Sequence, residues 1–170
     1  IGYRLVGSEM CIRDSLKKVG TEIQFTKDQI QEYLRCKEDP VYFAMNYIKI
    51  ISLDEGIVPF KMWDFQQELI ESFHENRFNI AKLPRQTGKS TTCVSYLLHY
   101  ILFNDNVNVG ILANKLSTAR DLLGRLQLAY EQLPLWLQQG IVVYNKGSME
   151  LENGSKILAA STSASAVRGM

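Results

Sequence analysis

The sequence predicts an α/β fold in which a mostly parallel sheet is flanked by helices. Three observations predict it. Strand-like and helix-like patterns alternate between residues 77 and 134, and right-handed crossovers between such strands give parallel pairing. The tripeptide Gly88-Lys89-Ser90 falls where a strand pattern gives way to a helical one. The run VNVGILAN, residues 107–114, has the continuous apolar look of a central parallel strand.

The elements follow in order. Thr26 with Gln29 three residues on makes a capping box that opens a helix over KDQIQEYLRCKE, with Ile30, Tyr33 and Leu34 as its apolar face. Asp39-Pro40 reads as an N-cap and first helical residue for PVYFAMNYI. The runs IKIISL and IVPF flank the turn DEG and predict a short hairpin. Asp64 and Gln67 repeat the capping-box spacing, and Phe65, Leu69, Ile70 and Phe73 line one side of the helix that follows.

RFNIAKL, residues 77–83, reads as a strand, PRQTG as a loop, and residues 89–103 as a helix carrying Val94, Leu97, Leu98 and Ile101. After the strand at 107–114, Ala119, Leu122, Leu126, Ala129 and Leu133 recur at helical spacing until Pro134. GIVVYN, SMEL and SKILAA read as strands, the last two joined by a hairpin at Asn153-Gly154, where both residues tolerate positive φ. STSASAVRG lacks any period and reads as a loop, and no internal repeat is visible.

The chain has 170 residues, enough for one domain with a core and too few for two full ones. Hydrophobic residues make up 46% and charged residues 22%, a globular balance, and no apolar run is long enough to cross a bilayer. The net charge of +1 neither requires nor excludes a nucleic-acid partner. Lys115, Arg120 and Arg125 read more simply as a solvated helical face than as a phosphate track. Cys11, Cys36 and Cys93 form no C-x-x-C pair, and with only His74 and His99 beside them they read as three plain thiols rather than a structural zinc site. The opening IGYRLVGSEMCIRDS looks like translated adapter read-through, so residues 1–15 are expected to be non-native or disordered and are set apart from the fold.

Residues 83–90, LPRQTGKS, match the phosphate-loop pattern G-x-x-x-x-G-K-[ST] except that Leu83 replaces its first glycine. Gly88 lets the backbone turn its N–H groups toward a phosphate. Lys89 reaches β- and γ-phosphates, Ser90 offers a hydroxyl to Mg²⁺, and the N-terminus of the following helix favours negative charge. Pro84, Gln86, Thr87 and Thr91 complete the candidate cradle, Gln86 and Thr87 mainly through backbone N–H groups. Arg85 has two readings: it stabilises charge on a transferring phosphoryl group, or it pairs with a carboxylate that supports the loop.

On these residues the chain resembles the ATPase domain of the large terminase subunit of tailed bacteriophages, in its T4-like branch. LPRQTGKST shares the missing first glycine and the Arg-Gln pair. MWDFQQELI resembles the family's adenine-recognising segment, NVGILANKLSTA the strand and loop after the first helix, and YNKGSMELENGSKILAASTSASAVRG the hairpin and Arg-Gly loop. The resemblance spans residues 26–170.

It implies a P-loop NTPase with ATP and Mg²⁺ as cofactors, Lys89 and Arg85 as catalytic residues, and Ser90 as a metal ligand. Gln66 would bond the adenine edge; its other reading is a helix-capping or surface glutamine. Arg168 would lie near the nucleotide, or be a solvated loop residue. Residues 16–60 would form a helical and extended segment packed on a partial ATPase domain at 61–170, the chain ending before a Walker B strand with paired acids. Double-stranded DNA, a portal protein, a small terminase subunit and a homo-oligomeric ring on the procapsid in the host cytoplasm are the implied partners and setting, with no membrane and with a nuclease domain further along. A helicase-like P-loop ATPase and a non-catalytic nucleotide-binding or assembly module are the alternatives.

Overall fold

The computed structural model describes residues 16–52 and 55–162. The expectations for the leader at 1–15, for Cys11 and for Arg168 fall outside them. The architecture is mixed α/β, with a four-stranded sheet flanked by helices.

Local chemistry starts the first two helices where the sequence places them. In α1 (Lys27–Glu38) the Thr26 hydroxyl accepts the Gln29 N–H at 3.2 Å while Gln29 Oε1 accepts the Thr26 N–H at 3.0 Å. In α2 (Pro40–Tyr47) the Asp39 carboxylate takes the Tyr42 N–H at 2.8 Å, and Pro40 sits at the first position. The phenols of Tyr42 and Tyr47 both donate to Glu32 Oε1 at 2.8 Å, tying α2 to α1. The face that α1 buries keeps Tyr33 of the three residues expected and adds Cys36. Cys36 is fully buried and the Tyr33 ring lies 5.1 Å from that of Phe103, whereas Ile30 and Leu34 are about half exposed. They line a shallow depression beside Trp136 and Leu137 instead.

The predicted hairpin forms as β1 (Lys49–Ser52) against β2 (Gly56–Pro59), in register Lys49↔Pro59 to Ser52↔Gly56. Next comes α3 (Asp64–Glu75), which packs on α4 (Lys89–Phe103) and joins α2 there. The core between them is aromatic: Phe43 meets Phe103 and His99 at 5.5 Å. Residues of this bundle and of the sheet share one buried cluster.

The sheet comprises β3 (Asn108–Ala113), β4 (Ile141–Tyr144), β5 (Ser148–Leu151) and β6 (Lys156–Ser161), in the order β3-β6-β5-β4. β3 and β6 run parallel, from Asn108↔Lys156 to Ala113↔Ser161, while β6–β5 and β5–β4 are antiparallel. The sheet is therefore not mostly parallel among the described residues, because two tight connections join three of its strands. In the β5–β6 turn only Gly154 takes positive φ, at 79°; Asn153 does not, and serves through its side chain, donating to the Ile101 and Asn104 carbonyls.

Helix α5 (Leu116–Glu131) covers β3 and β6 and packs on α4 through Ala119, Leu123, Leu126 and Ala129. It stops three residues before Pro134, earlier than expected, and Leu133 is buried in the turn beyond it.

Two strand expectations need correction. Among the described residues β3 lies at the edge of the sheet with alternating burial, not in its centre, and Leu112 is 45% exposed. Residues 77–83 form no strand: Phe78 and Ile80 are 83% and 100% exposed, and the segment pairs with nothing among the described residues. Phe78, Ile80 and Leu83 alternate or nearly alternate with polar residues as in a strand, but a strand is stabilised by its neighbour's ladder and packing. None lies alongside here.

Candidate phosphate-binding loop

Residues 84–88 join that extended segment to α4. Pro84 leads into a turn at Arg85 and Gln86, and Gln86 adopts φ 63° although it is not glycine. The Thr87 hydroxyl donates to the Pro84 carbonyl at 3.0 Å, closing the turn on itself. Gly88 caps α4 in the left-handed region at φ 75°, a conformation in which a side chain is strained. Its carbonyl then accepts both the N–H of Thr92 at 3.0 Å and the Thr92 hydroxyl at 3.2 Å.

The first N–H groups of α4 have no intrahelical partner, as at every helix start, and the macrodipole adds a partial positive charge there. Lys89, the first residue of α4, folds back across the loop. Its ammonium donates to the carbonyls of Leu83 at 2.8 Å and Pro84 at 2.5 Å. Ser90 is exposed in the first turn, and Thr91 behind it accepts the Ser95 hydroxyl at its carbonyl. Arg85 is exposed and forms no ion pair among the described residues, so the carboxylate partner of its second reading is not found there.

Gln66 is brought to this loop from α3. It is only 5% exposed, and both ends of its carboxamide are engaged. Oε1 accepts the N–H of Trp63 at 3.0 Å, and Nε2 donates to the carbonyl of Thr87 at 3.1 Å. Trp63, not Asp64, is therefore the N-cap residue of α3, with Gln66 rather than Gln67 three positions on. An indole cannot accept a hydrogen bond, so only the glutamine half of the capping box is made. The Trp63 ring is left 62% exposed beside the loop, tilted on Phe65 at 5.6 Å. Sequence reasoning passed over Trp63 because its type is not a capping one; the clue was Gln66 three residues on.

The structure thus gathers Gln66, Pro84, Arg85, Gln86, Thr87, Gly88, Lys89 and Ser90 around one loop. Thr91 faces elsewhere, toward a cavity of about 300 Å³ between β1, α4 and α5. The loop combines a left-handed glycine, the head of a helix and an ammonium held over two of its carbonyls. The fit to Mg²⁺ is incomplete, since no cluster of three metal-ligating acids, histidines or cysteines exists among the described residues, and Ser90 would bring one hydroxyl. No family model matches the chain.

Proposed function

We propose that the chain is the ATP-binding part of a P-loop NTPase, and specifically of a viral DNA-packaging motor of the large-terminase kind that couples ATP hydrolysis to translocation of double-stranded DNA into a procapsid. One observation carries the phosphate site: Lys89 stands at the head of α4, immediately after left-handed Gly88, with its ammonium turned over the loop. A triphosphate there would exchange its oxygens for the two carbonyls that Lys89 now engages. The exchange is favourable because anionic acceptors make the stronger, charge-assisted hydrogen bonds.

The motor assignment adds the resemblance of residues 26–170, including the leucine-started loop and the Trp-Asp-Phe-Gln segment. Under it, ATP would be the nucleotide, Arg85 would approach the transferring phosphoryl group, and Mg²⁺ would be held by Ser90 and phosphate oxygens, its acidic partner lying outside the described residues. A ring of copies on a portal, with a small terminase subunit and DNA, would be the working assembly.

Isothermal titration of ATP and of inorganic tripolyphosphate into the chain, wild type against Lys89→Ala, tests the site. A loss of more than about tenfold on removing the ammonium is expected, the scale of one or two charged hydrogen bonds. Equal affinity in both proteins would leave the non-catalytic module as the better account.

A further inference from the structure

We propose that Gln66 is a positioning residue for the phosphate loop, acting on the Thr87–Gly88 peptide and not on a base. This rests on reading residues 84–90 as a polyphosphate site.

The bond from Nε2 to the Thr87 carbonyl, at 3.1 Å, crosses 21 residues of sequence and joins α3 to the one peptide that matters most in the loop. A trans peptide holds its C=O and N–H on opposite sides. Fixing the Thr87 carbonyl toward Gln66 therefore turns the Gly88 N–H away from α3, toward the open side of the loop. The other end of Gly88 is fixed as well, because Thr92 grips its carbonyl with two hydrogen bonds. Between them, Gln66 and Thr92 hold Gly88 in its left-handed conformation.

The closeness is confirmed from the glycine's side. A Cβ on Gly88 would stand 2.4 Å from Gln66 Nε2, so the glycine makes room for the strut as well as for the turn. The opposite end of the carboxamide is anchored by the Trp63 N–H, which fixes the orientation of the amide and leaves its NH₂ facing the loop. Burial and one bond at each end already commit half of the carboxamide's donors and acceptors within the chain, leaving one N–H and one lone pair for any ligand. The carboxamide has the geometry to preset a donor.

The two roles separate by ligand. A base reader loses ATP affinity alone when mutated; a loop strut loses affinity for anything bearing a polyphosphate. The test compares ATP, GTP and inorganic tripolyphosphate binding to wild type, Gln66→Met and Lys89→Ala by calorimetry. Gln66→Met removes the bond to Thr87 together with its anchor on the Trp63 N–H, and should weaken all three ligands by the same factor, about five- to tenfold.

Loss confined to ATP would overturn the proposal in favour of base recognition. Unchanged affinities in Gln66→Met, with lysine-dependent binding in wild type, would overturn it while the phosphate site stands. Absence of lysine-dependent tripolyphosphate binding in wild type would remove the phosphate site and the strut's purpose together.

Gln66→Glu supplies a second variant, since it keeps an acceptor for the Trp63 N–H but has no donor for Thr87. Hydrogen exchange on the ligand-free chain reads it with no phosphate present for the added carboxylate to repel. Faster exchange at the Thr92 amide, which donates to the Gly88 carbonyl, with Ile70 in α3 and Leu98 in α4 unchanged, is expected. Unchanged exchange at Thr92 would refute the strut, and uniform acceleration would reduce Gln66 to a general structural residue.

Discussion

Nε2 of His99 lies 2.9 Å from the carbonyl oxygen of Cys36, joining α4 to α1 through the core. A carbonyl only accepts, so Nε2 carries the proton and Nδ1 is left as an acceptor. Nδ1 is buried with no hydrogen-bond partner among the described residues. The ring is wedged among Phe43, Tyr96 and Phe103, with His74 6.4 Å away.

This arrangement predicts an acid-sensitive core. Burial, with a smaller contribution from the nearby His74, pushes the His99 pKa down to about 4 from an ordinary 6.5. In the unfolded chain His99 takes a proton as pH falls through 6.5, while the folded chain stays neutral to about 4. Stability should therefore fall as pH drops through that window, by on the order of 3 kcal/mol in total, and the loss should level off below it. Urea midpoints of wild type and His99→Phe between pH 7 and pH 4 check this. The variant should lose stability less steeply; parallel slopes would contradict the assignment.

The glycines at positions 124 and 154 should respond to alanine with opposite signs. Gly124 lies inside α5 with no atom within 4 Å of a built Cβ. Gly124→Ala should raise stability by about 0.5–1 kcal/mol through helix propensity and a less flexible unfolded chain. Gly154 holds φ +79°, and a Cβ there would meet Asn106 Oδ1 at 2.3 Å. Gly154→Ala should cost about 1–3 kcal/mol. Urea midpoints read both, and a destabilised Gly124→Ala would show that α5 packs more tightly against its surroundings than described.

Arg85 is a third case. It is exposed and unpaired with any described carboxylate, so Arg85→Ala should leave stability within about 0.5 kcal/mol of wild type. If the guanidinium reaches a bound polyphosphate, tripolyphosphate affinity should still drop about tenfold. Unaltered affinity in calorimetry would take Arg85 out of the site.

How much of this was legible follows from range. The starts of α1 and α2 rest on contacts three residues long, Thr26 with Gln29 and Asp39 with Tyr42, and such pairs can be read from sequence directly. The loop's glycine and lysine were equally plain, because their chemistry is carried by neighbours. Residues 77–83 were misread because extension in isolation earns no ladder, and no local pattern reports whether a partner strand exists. The edge position of β3 was hidden for the same reason. The direction of α1 depended on which side Phe103 approaches, so Tyr33 and Cys36 turned inward and Ile30 and Leu34 did not. The bond from Gln66 to Thr87 joins two segments whose meeting is a property of the whole fold.

The stretch before α1 has its own effect on the sheet. The Lys17 carbonyl accepts the Ile141 N–H at 3.0 Å, Lys18 bridges Ile141 in parallel, and the Gly20 N–H donates to Glu152 at 3.0 Å. These contacts occupy the start of β4's outer flank at Ile141, whereas the far flank of β3 meets no described strand. A further strand would therefore meet a flank open along all of β3, on the side away from β6, and one already occupied at Ile141 at the opposite end.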